Sequence, residues 1–313
     1  MNSARLRNGS FAAAMLVVLG AAAGAWAATT LDEIIQPGTK PQVLGTGYGF
    51  CEGPTADAQG NVYFSDGKKD SIHFYELGKP VAPFVLDSTD ANGQKINTKG
   101  ELYTCEGAAY RVVAFDVKTR QKRILCSQID GKHFNEPNDL TIDHLDGFYF
   151  TDPNYAHHGQ KAVMKEDVYY CSPEGKVTRV STVCRNPNGI LLSPDEKILY
   201  LCDCGGQRIY TCDVLAPGKL GPPRLWIEVH AYPDGITLDE QGDLYLGCGG
   251  AGVRVYSPQG RLLGTIKVSY ASNLCFGGPD FKTLYVTAAD KFICLPMKVV
   301  GLKPLPVRVK ESR

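Results

Sequence analysis

The chain has 313 residues and carries as many Lys and Arg as Asp and Glu, for a formal net charge of zero. A neutral balance supplies no basic stripe for nucleic acid and no charge-driven docking on anionic lipid. The length is large for one ordinary domain but normal for a closed all-β toroid.

Residues 1–27 read as a signal peptide. Arg5 and Arg7 give a basic start, Phe11 to Gly24 an apolar stretch, and Ala25-Trp26-Ala27 a small-residue cleavage signal. The stretch is shorter and richer in Ala and Gly than a span of roughly 20 apolar residues, which leaves an uncleaved anchor as the alternative. No Cys follows the cleavage signal, so a lipid anchor is not expected. The expected location is outside the cytoplasm, periplasmic or secreted. Residues 28–39 read as a short leader, 40–303 as the folded unit and 304–313 as a tail.

The folded unit is repetitive. Tyr63, Tyr103, Tyr149, Tyr200, Tyr245 and Tyr285 each sit on a short apolar run, at intervals of 40, 46, 51, 45 and 40 residues. An acid or amide stands 11 or 12 residues before each: Glu52, Asn92, Asn138, Asn188, Asp234 and Asn273. Short strands recurring at such a period predict a β-propeller with one blade per repeat, here six. Blade one reads as strands through Val62-Tyr63-Phe64, Ile72-His73-Phe74-Tyr75 and Pro83-Phe84-Val85-Leu86, separated by Gly and Asp turns. Blades four and five repeat this grammar after Asn188 and Asp234. Blade six shows three strands, and Gln42-Val43-Leu44 is expected to supply its fourth, closing the ring and removing free sheet edges. The fold class is therefore an all-β, six-bladed propeller of four-stranded antiparallel blades.

The recurring Tyr reads as inter-blade packing with its hydroxyl satisfied locally. Eleven cysteines, an odd number, leave at least one thiol unpaired. Cys171, Cys212 and Cys294 fall at one place in the third strand of three blades, and Cys105 and Cys202 two residues after the repeat Tyr. Such positions suit small core residues. An oxidising compartment allows a disulfide, with Cys202 and Cys204 the oddest pair.

Asn92-Gly93, Asn188-Gly189 and Asp234-Gly235 are also turn dipeptides, but they precede the first strand of a blade, and hairpin turns already exist downstream. Rotational symmetry then brings the six polar residues together around the axis. Two carboxylates and four amides, with no His or Lys, make an oxygen-ligand cage. Ca²⁺ suits such donors, whereas Zn²⁺ favours His and Cys; Mn²⁺ and Mg²⁺ remain open, as does Zn²⁺. Asp66, Asp152 and Asp203, three residues after a repeat Tyr, are either supporting partners of the ring or strand-end turn formers.

Glu52-Gly53-Pro54, Pro137-Asn138-Asp139, Pro187-Asn188-Gly189 and Pro233-Asp234-Gly235, with the closing Asn273-Leu274-Cys275-Phe276-Gly277-Gly278-Pro279-Asp280, resemble the gluconolactonase / senescence-marker-protein (regucalcin) / luciferin-regenerating-enzyme-like family. The resemblance covers roughly residues 40–300. It implies a six-bladed propeller with one catalytic divalent metal, most often Ca²⁺, that hydrolyses sugar lactones. Carried over by motif, Glu52, Asn188 and Asp234 are metal ligands, Asn138 a ligand or substrate contact, and Asp234 the general base. Glu136 stands where sugar-lactone members often carry Arg, a departure that casts doubt on an acidic or aldonic lactone. Asn92, Glu136, Asn273 and His157 complete the expected substrate contacts, with His157 and His158 on a loop over the mouth.

The expected partner is a small lactone or ester, and the expected state a monomer. Two rivals stand beside the lactonase: an arylesterase or phosphotriesterase in the same site, and a non-catalytic binding propeller with a structural metal.

Overall fold

The computed structural model describes residues 30–308 except 158 and 160. Six antiparallel sheets follow one another along the chain, as the period predicts. The inner strand of each blade packs on the inner strand of the next, and the sixth returns to the first. Blade one runs through Cys51–Ala56, Val62–Asp66, Ser71–Tyr75 and Ala82–Leu86. Blade six takes Asn273–Gly277, Thr283–Ala288 and Lys291–Pro296, and its outer strand is Gln42–Thr46, with Gln42 opposite Cys294 and Thr46 opposite Lys291. The ring therefore closes with the strand the sequence offers for it.

Two additions break the period. Arg208–Ala216 in blade four is long and pairs with an extra strand, Lys219–Leu220, before the outer strand Arg224–Glu228. Gln128–Ile129 and Lys132–His133 form a small hairpin between blades two and three.

The core lies between sheets. Tyr63, Tyr103, Tyr149, Tyr245 and Tyr285 are buried, while Tyr200 is half-buried and packs against Trp226 at 5.2 Å. The Tyr245 hydroxyl donates to Asp239 at 2.9 Å and the Tyr149 hydroxyl accepts the Gly218 amide at 2.9 Å. At Tyr149 and Tyr245 aromatic bulk thus fills the wedge between blades while its polar end is satisfied. All eleven cysteines are unpaired; ten are buried and Cys204 is half-buried. No Cys202–Cys204 disulfide forms.

The flanking segments dock on the propeller. Leu31–Ile34 makes one helical turn that buries Ile34 against blades five and six, and the Lys298 amide donates to Ile34 at 2.8 Å. At the other end, the Leu302 amide donates to Leu238 of blade five at 2.9 Å, and the Arg308 amide donates to Thr98 of blade two at 2.6 Å. Between these anchors Leu302 and Leu305 pack against different blade clusters. The segment 302–308 is therefore a strap across one end of the central channel, over the far ends of the inner strands at Thr55, Lys95 and Leu191. The expected signal peptide, 1–27, lies outside the described residues. No helix among the described residues is long and apolar enough to cross a membrane.

Candidate metal and active site

The other end of the channel holds the ring. Inner strands of blades one, two and four carry a bulge at the ring residue, with register shifts between Glu52 and Thr55, Ala91 and Gln94, and Pro187 and Ile190. A bulge re-aims a side chain where pairing would otherwise fix it. The Gly after the ring residue has a packing role rather than a turn role. A Cβ at Gly189 would lie 2.1 Å from the Asp234 carbonyl oxygen, and one at Gly235 2.1 Å from the Asn273 side chain. In blades one, two, four and five the ring residue is thus followed by a residue that must lack a side chain, whereas Asp139 and Leu274 stand at this place in blades three and six.

Glu52, Asn92, Asn138, Asn188 and Asp234 line one cavity of about 580 Å³. Five of the six expected ring residues meet there. Asn273 does not: it is buried behind Glu52, its side-chain amide donating to Asp139 at 3.4 Å while its oxygen accepts the Leu274 amide at 2.8 Å. Glu136 is turned away as well. Its buried carboxylate accepts the backbone amides of Tyr155 at 2.6 Å and His157 at 2.9 Å. The structure therefore places Glu136 and Asn273 behind the wall as supports, in place of the substrate contacts expected of them. His157 does line the cavity, exposed, with its ring stacked on Tyr155 at 5.4 Å; His158 is outside the described residues.

Asp66, Asp152 and Asp203 resolve as supports of the ring. Asp66 accepts the amides of Gly49 and Phe50, Asp152 those of Asn135 and Glu136, and Asp203 those of Arg185 and Asn186. In all three blades the accepted amides stand three and two residues ahead of the ring residue. Tyr155 is a site residue that sequence reasoning missed: its hydroxyl accepts the Asn188 side-chain amide at 2.8 Å. Its signal was the 51-residue interval from Tyr149 to Tyr200, whose surplus residues form the loop between Phe148–Asp152 and Asp167–Cys171.

The electrostatics of the floor follow from burial. Burial pushes Glu52 up to about 8, with the charge of Asp139 adding to the rise and the Gly53 amide opposing it. Asp234 opens into the cavity but is otherwise enclosed, and this burial holds its carboxyl well above the ordinary range, reinforced by the charges of Glu52 and Asp139. Buried Asp139 is raised too, and Lys95 in the channel below opposes that rise. Among the described residues no three His, Cys, Asp or Glu side chains cluster as a cation site; the floor is two carboxylates with amides. That donor set fits a hard divalent ion, since like charges enclosed together call for a cation and amide oxygens complete its shell.

A family model described as the SMP-30/Gluconolactonase/LRE-like region matches residues 50–290. The chain belongs to this family. The match spans every member of the ring, from Glu52 to Asn273. A gluconolactonase of Zymomonas mobilis is 27% identical over 305 residues, covering 87% of this chain and 85% of that one. The solved structure of a gluconolactonase from Xanthomonas campestris superposes with a TM-score of 0.79 at 26% identity, covering 86% of this chain and 93% of that one. A calcium-binding regucalcin from Agrobacterium tumefaciens shares the fold, with a TM-score of 0.75 at 19% identity over 87% of this chain and 98% of that one. The SMP-30/gluconolactonase fold thus accounts for the six blades.

Proposed function

We propose that this chain is a divalent-cation-dependent lactonase, with Ca²⁺ the ion its floor suits best. The observation that carries the proposal is the meeting of Glu52 and Asp234 with the amides of Asn138 and Asn188 on one cavity floor. Family membership and the gluconolactonase relatives support lactone hydrolysis. Glu52, Asn138, Asn188 and Asp234 are the residues that would hold the ion. When bound, a divalent ion supplies neutralising charge and polarises the substrate carbonyl.

The rest is work for the chain's own groups. Asp234 accepts a proton from the water that attacks the lactone carbonyl carbon. The bond from that carbon to the ring oxygen breaks, the proton passes to the departing alkoxide, and an open-chain hydroxy acid leaves. Tyr155 fixes the Asn188 amide, and Glu136 fixes the loop that bears Tyr155. Export is part of the same proposal and is supported by Arg5, Arg7 and Ala25-Trp26-Ala27.

The test is hydrolysis of a lactone panel by protein stripped of metal and then titrated with Ca²⁺, Mn²⁺, Mg²⁺ and Zn²⁺. Turnover that appears with Ca²⁺ supports the proposal. Ca²⁺ binding without turnover on lactones, aryl esters or phosphotriesters would make the protein a binding propeller, and undiminished turnover after stripping would remove the metal from the mechanism.

A further inference from the structure

At about 580 Å³ the cavity lies within the range of roughly 300–1,000 Å³ that serves drug-sized ligands. A bare lactone ring on the floor leaves much of it empty. The spare space is not evenly walled: blades one to three build most of it, while blades four and five contribute only Asn188 and Asp234.

On the side of blades one and two, half-buried Phe50 and Ala108 make an apolar strip beside Lys68, Asp70, Thr89 and Asp90. Phe50 is held in place. Its amide donates to Asp66 at 3.0 Å, its carbonyl accepts the Gly67 amide at 3.2 Å, and its ring meets Tyr270 edge-on at 5.9 Å. Ala91 follows a corner in which Thr89 and Asp90 have φ of +59° and +56°. A β-branched residue at such a φ is strained and persists only where its surroundings over-determine it. Here the Asp90 amide donates to Asp70 at 2.7 Å and the Gly107 amide donates to Asp90 at 3.0 Å. The Tyr155 ring lines the same cavity, stacked on His157 at an interplanar angle of 18°.

The charged groups of this side do not favour an anion. Lys68 lies over the Phe50 face at 5.6 Å, and Asp70 and Asp90 line the same side of the cavity. Glu136 points its carboxylate at backbone amides and away from the cavity. A fixed apolar strip and an aromatic ring on one cavity suit a flat hydrophobic group.

We propose that Phe50 and Ala108, with Tyr155 on the same cavity, form a subsite for a planar apolar substituent. The substrate is then a neutral lactone bearing an aryl or similar group, in preference to a polyhydroxylated lactone. The inference rests on the lactonase reading and specifies its substrate class.

Three δ-lactones test it on the full Ca²⁺-loaded protein: δ-valerolactone, its δ-phenyl derivative and glucono-δ-lactone. The expected kcat/KM is highest for the phenyl compound, about tenfold above δ-valerolactone, as burial of a small apolar group allows. Phe50→Ala collapses that ratio towards one, mainly through KM, and Phe50→Leu retains most of it. Phe50→Leu also keeps the test alive if the alanine variant does not fold. Turnover with glucono-δ-lactone preferred, or an unchanged ratio in the variants, overturns the subsite and leaves the lactonase reading standing. Failure to turn over any of the three overturns both.

Discussion

The carboxylate of Asp152 accepts the backbone amide of Glu136 at 3.0 Å, two residues ahead of Asn138. The relationship recurs between Asp66 and Phe50 ahead of Glu52, and between Asp203 and Asn186 ahead of Asn188. Three of the four proposed ligands therefore hang from an Asp at the end of the neighbouring strand. Blade two uses the equivalent place differently: buried Glu106 pairs with Arg111 at 2.6 Å and Lys122 at 2.7 Å. Charge-assisted bonds to main-chain amides are stiff, so the device holds ligand backbones without occupying the cavity.

Asp203→Ala should therefore weaken ion binding without touching the ion. The amides of Arg185, Asn186 and Gly206 lose their acceptor, which costs about 3 kcal/mol of stability, and cation affinity falls about 10- to 100-fold, as for other outer-shell supports. Calorimetric Ca²⁺ titration and thermal unfolding read the two effects separately. Unchanged affinity in a destabilised variant would reduce Asp203 to a purely architectural role.

The metal-free protein should have an unusual pH profile. Glu52 titrates near 8 in the folded chain against an ordinary 4.5, so the fold holds that proton more tightly than the unfolded chain does. The contribution is fully present below about 4.5 and is lost as pH rises towards 8; raised Asp234 acts in the same direction. Chelated protein is expected to lose thermal stability across this window. Saturating Ca²⁺ should flatten the loss, because the ion replaces the proton as the counter-charge, and Asp234→Asn should flatten it without metal. A stability that rises with pH in the chelated protein contradicts the arrangement.

The periodic parts of the molecule were legible in the sequence. Tyr at a fixed place gave the blades, and one polar residue 11 or 12 positions earlier gave the floor, because rotational symmetry turns equal sequence position into spatial proximity. What escaped was aperiodic. Tyr155 sits in a loop peculiar to blade three, and nothing local says that its hydroxyl reaches Asn188. Glu136 occupies a substrate-contact position by alignment of motif, yet two amides of that loop capture its carboxylate. Asn273 has the right register, but its side chain lies behind Glu52 against Asp139, below the cavity floor. In each case the direction of a side chain was decided by a partner more than ten residues away. The 302–308 strap was hidden for the same reason, as its Lys and Pro content reads like a loose tail.

Tyr155→Phe removes the hydroxyl alone. The ring and its stacking with His157 remain, while the acceptor for the Asn188 amide is lost together with the hydroxyl's bond to the Cys204 thiol. A buried hydrogen bond of this kind is worth about 1 kcal/mol, so Ca²⁺ affinity should fall about fivefold with little change in unfolding temperature. An equal loss in Asn188→Ala and in the double variant would show that Tyr155 acts through Asn188. Additive losses would mean that the hydroxyl meets the ion or the substrate independently.

The strap should stabilise the ring at the end remote from the cavity. Leu302 packs with blade five and Leu305 with blades two and three, while Leu302 and Arg308 are anchored by main-chain bonds on opposite sides of the channel. Both leucines are half-buried, so truncation of each side chain should cost about 1 kcal/mol. The pair Leu302→Ala and Leu305→Ala should therefore lower stability by about 2 kcal/mol, read by denaturant unfolding. Because the ring residues stand at the opposite ends of the inner strands, Ca²⁺ affinity at a temperature where the variant is fully folded should stay within about twofold of the parent, which 1 kcal/mol of coupling would exceed. A large drop in affinity would instead show that blade spacing at the floor is set by the strap. The double variant thus separates a clamp that holds the toroid together from one that tunes its centre.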